Sequence, residues 1–166
     1  TSRYQIPLIF DEVVTGFRFS YGGAQEYYNV IPDLCTLGKA VAGGFPLTAV
    51  AGSREIMEHF NASAVEGTAF LPQIGTLSGN PVASVAGLAT LELLRKPGTY
   101  DRLFDTGQRL KDALTKIFSE AEIPASVIGE APLFDVFFTS SPISDHRSTL
   151  LADKQMLKRF NSLLLD

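Results

Sequence analysis

Leu8-Ile9-Phe10-Asp11-Glu12-Val13-Val14-Thr15-Gly16-Phe17-Arg18 decides how this chain folds: a short apolar run stops at an acid, and a Gly-bearing segment follows. Residues 6–10 have the pattern of a strand buried on both faces of a parallel sheet, because a strand covered on both sides needs no polar alternation. In open sheets of that kind, functional side chains sit just past the carboxyl ends of the strands. Asp11 stands at that place. Working outward, Pro32-Asp33-Leu34-Cys35-Thr36-Leu37 reads as a second short strand leading to Lys39, and Leu47-Thr48-Ala49-Val50-Ala51-Gly52 as a third. The Gly- and aromatic-rich stretch from Thr15 to Asn29 reads as a loop. Ser53 stands as N-cap to a helix carrying Ile56, Met57 and Phe60.

Residues 61–79 form a long Gly-, Ser- and Thr-bearing loop, of a length that is usually functional or mobile. It ends at Asn80 as N-cap and Pro81 at the first helical position. The helix that follows, to about Leu94, is apolar almost all round and is therefore expected to be buried. Lys96-Pro97-Gly98 breaks it and sets the expected boundary between a large domain, residues 1–97, and a smaller one, residues 98–166. Beyond it, Tyr100, Leu103, Phe104, Leu110, Leu114, Ile117 and Phe118 recur at helical spacing with charged residues opposite, which predicts an amphipathic helix. Residues 125–129 and 133–138 read as strands. A last helix is expected from Ser148, with Leu157, Phe160 and Leu164 on one face. The parallel-sheet pattern of residues 6–10 places the chain in the α/β class.

The 166 residues are 45% hydrophobic and 19% charged, a globular composition with enough apolar material for a core. The formal charge of −4 is spread thinly and no Lys/Arg cluster suggests a nucleic-acid or polybasic membrane surface. Apolar runs are too short and too interrupted for a transmembrane helix. The single Cys35 cannot make an intramolecular disulfide, is compatible with a reducing compartment, and reads as a small buried apolar residue. The chain begins at Thr1 without Met and ends inside a helical pattern, the features expected of a fragment of a longer protein.

The chemistry rests on two residues. Lys39 is the first lysine of the chain, with none other before Lys96, and it sits in the apolar, Gly-rich segment Leu37 to Pro46. An amine of that kind can lose solvation, lower its pKa and become a nucleophile toward a carbonyl. Asp11, at the end of a neighbouring strand, can hold a pyridinium nitrogen protonated. A lysine Schiff base with an acidic pyridinium partner is the protein's half of pyridoxal-phosphate chemistry. Glu12 reads as a structural ion-pair partner and Arg18 as structural. His59 and His146 stand alone, with no second ligand at metal spacing, so no metal site is expected.

The segments DEVVTGFR at 11–18, GGAQ at 22–25, PDL at 32–34, LGK at 37–39, GGFP at 43–46 and GTLSGNP at 75–81 resemble, in order and spacing, the class-III (fold-type I) pyridoxal-phosphate aminotransferases. The likeness is greatest to the glutamate-1-semialdehyde aminomutase branch, where Val14 replaces the Gln usual in ω-transaminases. The resemblance implies the second half of a fold-type I large domain, a mainly parallel sheet with helices on both faces, and the start of an α+β C-terminal small domain. It implies pyridoxal 5'-phosphate as cofactor, with Lys39 as the Schiff-base residue, Asp11 paired to the ring nitrogen and Val13 packed against one ring face. Thr76 would contact the cofactor phosphate of the neighbouring subunit in a homodimer with shared active sites. A small amino acid or amino aldehyde would be the substrate and the cytoplasm the location, with the 166 residues alone inactive. The alternative is a non-catalytic dimerisation scaffold that retains the fold.

Overall fold

The computed structural model describes residues 1–165 and divides into two compact units, Thr1–Tyr100 and Asp101–Asp166.

In the first unit the three expected strands form one sheet: β1 (Ile9–Glu12), β2 (Leu34–Leu37) and β3 (Ala49–Gly52), in that order. β1 and β2 are parallel, with Asp11 opposite Thr36 and Glu12 opposite Leu37. β3 returns antiparallel to β2, placing Val50 opposite Thr36, so this part of the sheet is mixed. β1 begins later than the apolar run, and Asp11 falls within it rather than past its end. Nor is the strand covered on both faces. Glu12 is buried and Phe10 partly so, whereas Ile9 (59% exposed) and Asp11 face outward, following the two-residue period of a strand.

The stretch from Thr15 to Asn29 is not all loop: it contains α1 (Gly23–Tyr27), a helix too short for a periodic signal. Ser53 occupies the N-cap position of α2 (Arg54–Met57), which continues as a 3₁₀ turn through Phe60, but its side chain makes no capping bond. α3 (Pro81–Leu94) starts where expected, with the Asn80 side chain accepting from the Ala83 amide at 3.0 Å. Ala83 and Gly87 are buried, and their size lets the helix approach the 3₁₀ turn Lys39–Ala42 closely. A Cβ on Gly87 would stand only 2.8 Å from Leu47 Cδ2. The rest of α3 overturns the expectation of burial: Val82, Val85, Leu88 and Leu93 are all more than half exposed. Its sequence is apolar all round, but this chain supplies cover for one stripe only.

The second unit pairs the long helix α4 (Thr99–Glu120) with an antiparallel hairpin of β4 (Ser126–Glu130) and β5 (Leu133–Phe137). Phe118, Val136 and Phe138 form its core, with Leu114, Ile123, Val127, Leu157 and Phe160 packed around them. The rings of Phe118, Phe138 and Phe160 meet edge to face at 5.5–5.8 Å. Gly107 lets α4 lie directly on the Ala131 carbonyl, where any Cβ would collide with backbone. The single expected terminal helix is two. α5 (His146–Thr149) opens with a capping box between Asp145 and Ser148, and α6 (Lys154–Leu163) has Asp153 as N-cap. Among the described residues no helix is long and apolar enough to cross a membrane, and no group of three or more His, Cys, Asp or Glu could hold a metal ion.

Candidate functional site

The adjacent acids at the end of β1 point to opposite faces and meet opposite environments. Glu12 is 1% exposed. Its Oε2 accepts from the Ala24 amide at 2.6 Å and the Thr15 hydroxyl at 3.2 Å, and its Oε1 from the Gln25 amide and side-chain Nε2, each at 3.1 Å. This corrects the expected role: its partners are backbone and side-chain donors of α1 and the preceding loop, not a cation. Burying a carboxylate is tolerable only when donors replace the lost water, and the loop supplies them. Gly23, at φ +76°, makes the approach possible, since a Cβ there would run into the Glu12 carboxylate.

Asp11 faces the other way, exposed. Its Oδ1 accepts from the Val13 amide and from the Thr36 hydroxyl across the sheet, each at 3.1 Å. Thr36 was not singled out by the sequence reading, because only the strand register puts it opposite Asp11. The chain leaves β2 through Gly38, extended at φ −167°, and enters the 3₁₀ turn at Lys39. Lys39 has φ +44°, a left-handed conformation that is strained for a residue with a side chain and that clusters at functional positions. Gly38 is buried beside Val13: a Cβ there would sit 3.3 Å from Val13 Cγ1 and 3.7 Å from Thr48 Cγ2. Thus Val13, Gly38 and Lys39 adjoin, while Asp11 is fixed one strand away.

Lys39 is exposed, so the desolvated surroundings expected from its Gly-rich segment are not supplied by this chain; it lines an open cleft of about 590 Å³ with Phe45, Thr48, Gln73, Gly75 and Ser78. The loop before α3 therefore meets the lysine within this chain. Thr76 is exposed and is not part of the cleft lining, although Gly75, Leu77 and Ser78 on either side of it are. A second cleft, of about 520 Å³, opens on the Glu12 side of the sheet and is lined largely by Phe17, Tyr21, Cys35, Leu37 and Ala51. At its rim the Tyr100 hydroxyl donates to the Phe17 carbonyl at 3.3 Å and Arg95 donates to the Tyr21 hydroxyl at 2.8 Å. Burial, then the negative charge of Glu26, pushes Tyr100 up to about 12. The Gly22 amide, then the Ser20 hydroxyl, holds the Glu26 carboxyl below its usual range. Cys35 is buried. His59 Nδ1 lies 2.8 Å from the Ala69 carbonyl, a local loop contact, and His146 is exposed at the start of α5.

Residues 1–159 match the family model described as aminotransferase class-III. The chain belongs to the class-III aminotransferase family. It is 46% identical over 164 residues to a glutamate-1-semialdehyde 2,1-aminomutase of Thermus thermophilus, covering 98% of this chain and 38% of that protein. It is 42% identical over 165 residues to the protein of the same name from Natranaerobius thermophilus, covering 99% of this chain and 37% of that one. Among solved structures it resembles an omega-transaminase from Sphaerobacter thermophilus, with a TM-score of 0.82 at 40% identity over 93% of this chain and 34% of that chain. The chain thus spans well under half the length of the curated relatives it matches. The α/β fold is that of the fold-type I transaminases, in agreement with the sequence expectation.

Proposed function

We propose that the full-length protein transfers an amino group using pyridoxal 5'-phosphate bound covalently through Lys39. The observation that carries this reading is the pairing of parallel strands β1 and β2, which sets an outward-facing carboxylate, Asp11, beside the strand that delivers Lys39. The residues present fit the cofactor. The open cleft at Lys39 has room for a small planar ring, Asp11 offers an exposed carboxylate for a ring nitrogen on the neighbouring strand, outside that cleft's lining, and Val13 lies against Gly38, next to the lysine. When bound, the cofactor supplies an electron-withdrawing ring that stabilises negative charge left at a substrate carbon after proton loss.

The chain's own groups divide the remaining work. Lys39 Nζ holds the cofactor and, once displaced by substrate, takes and returns a proton as general base and acid. Asp11 keeps the proton on the ring nitrogen, because a fixed anion favours the protonated partner. Val13 packs against the ring face and excludes water from it. Thr76, on an exposed loop before α3, serves the phosphate of the neighbouring subunit in a homodimer with two shared sites. Residues 1–97 are the second half of the cofactor domain, and residues 98–166 begin the C-terminal small domain. The substrate is an amino acid or amino aldehyde, and the location is cytoplasmic. Return of the amino group to another carbon of the same molecule is supported by Val14 and by the names of the curated relatives, and transfer between two molecules by Ala42, by Leu47-Thr48-Ala49 and by the likeness to an omega-transaminase.

Borohydride reduction of the full-length protein, followed by peptide mapping, tests the assignment. The pyridoxyl label is expected on Lys39, and Lys39→Ala is expected to abolish turnover while leaving the melting temperature of the cofactor-free protein unchanged. Label on any other lysine overturns the reading.

A further inference from the structure

We infer that Thr36 is a positioning residue for Asp11: its hydroxyl orients the carboxylate that faces the cofactor ring. The inference rests on the proposed role of Asp11 and goes beyond it. β2 is the middle strand of the sheet, hydrogen-bonded to β1 on one side and β3 on the other, so Thr36 projects from the best-held backbone near the site. Its β-branched side chain is stiff about χ1. Asp11 lies directly opposite it in register, and the hydroxyl donates to Asp11 Oδ1 at 3.1 Å. The Val13 amide donates to the same oxygen at the same distance. Two donors converging from different directions on Oδ1 fix the rotation of the carboxylate plane, and neither engages Oδ2. Oδ2 is left available to the ring nitrogen.

On packing grounds a hydroxyl is not called for here. The cross-strand neighbour on β3 is Val50, and a valine at 36 would suit the strand at least as well. What the oxygen adds is the bond to Asp11. A carboxylate free to rotate would still carry its charge but would meet the ring nitrogen in the correct geometry for only part of the time, and misorientation at a reacting centre is costly.

The test compares Thr36→Val and Thr36→Ser in the full-length protein, in parental and Asp11→Asn backgrounds. The readouts are pyridoxal-phosphate affinity by absorbance titration of the cofactor-free protein, turnover, and melting temperature without cofactor. Thr36→Val is expected to weaken cofactor affinity and turnover by roughly tenfold each, the scale of one hydrogen bond to a charged group. It should leave the cofactor-free melting temperature unchanged, and Thr36→Ser should restore both functions. In the Asp11→Asn background, Thr36→Val should add nothing further. Parental affinity and turnover in Thr36→Val overturn the inference. So does a loss that persists undiminished on Asp11→Asn, or one that tracks a lowered melting temperature and is not rescued by serine. If Thr36→Val does not fold, Thr36→Ala removes the same hydroxyl and is read by the same criteria. An impaired Asp11→Asn with a parental Thr36→Val sinks the Thr36 inference alone, whereas a parental Asp11→Asn sinks the role of Asp11 and the inference with it.

Discussion

In the unit Asp101–Asp166, Phe118, Val136 and Phe138 are only 5–6% exposed and are ringed by further apolar side chains of the same unit. In the unit Thr1–Tyr100, by contrast, Ile31 is 87% exposed, Val85 65% and Ile9 59%, although the unit carries both Asp11 and Lys39. Its buried residues are mostly small: Ala24, Cys35, Ala42 and Ala83. The difference separates two ways of using apolar sequence. The α4–hairpin unit encloses an aromatic core of its own, although Leu110, Ile117, Leu151 and Leu164 around it stay more than half exposed. The site-bearing unit presents a sheet and a helix that are apolar on more faces than these 166 residues can cover. Relatives more than twice as long have chain to lay against such faces.

A matched pair of truncations in this chain would break that contrast if it is wrong. Phe118→Ala removes the ring at the centre of the second core and is expected to cost about 3–5 kcal/mol of stability. Leu88→Ala, on the 64% exposed face of α3, is expected to change stability by no more than about 0.5 kcal/mol. Denaturant unfolding followed by circular dichroism measures both. Comparable losses would mean that α3 is buried in the chain as it stands in solution.

The next effect sharpens what holds the site-bearing unit together in the absence of a large core. Glu12→Gln keeps the shape of the side chain but turns one acceptor into a donor facing the amides of Ala24 and Gln25. A loss of about 1–3 kcal/mol is expected, the usual consequence of leaving buried polar groups unpaired. Hydrogen exchange should accelerate first at Ala24 and Gln25 and spare α4. Unchanged exchange in α1 would show that the carboxylate does not organise this loop.

Much of this was legible from the residues because local chemistry and tertiary structure agreed there. Asn80-Pro81 marks the start of α3 by capping alone, and the helical spacing of Leu103, Phe104, Leu114 and Phe118 marks α4 because these residues are buried or partly buried in the unit, although Leu110 and Ile117 of the same pattern are more than half exposed. Where the deciding partner lay elsewhere in the chain, the reading failed. α1 is five residues long and stands on the Glu12 carboxylate, so nothing periodic announces it. The antiparallel direction of β3 follows from how the chain returns through Gly43-Gly44, which strand propensity does not encode. The exposure of α3 depends on cover, and an all-apolar helix carries no record of where its cover comes from. The break between α5 and α6 did have a signal, Asp145 and Asp153 as caps, which the apolar spacing of Leu157, Phe160 and Leu164 obscured. At the candidate site, Asp11 and Lys39 stand out by residue type, whereas the place of Thr36 opposite Asp11 needs the strand register.

The smallest effect tests the polar tie at the rim of the second cleft, where the site-bearing unit substitutes hydrogen bonds for apolar packing. Tyr100 has its pKa raised from 10.0 to about 12 by burial and then by the charge of Glu26, so the folded state favours the neutral hydroxyl that donates to Phe17. A raised acid pKa means that the unfolded chain releases this proton first as pH rises. The stabilisation is therefore complete below about pH 10 and is lost progressively between about pH 10 and about pH 12. Because the ring is only partly buried, solvent screens much of the effect, and the change is expected to be modest. Tyr100→Phe removes the ionisable group. Its denaturation midpoint should fall less steeply than the parent's across that interval, and ultraviolet titration of the folded protein should lose one late-ionising tyrosine. Parallel slopes in the two proteins would mean that the Tyr100 hydroxyl ionises as freely in the fold as in the unfolded chain, and the rim would then owe its order to packing alone.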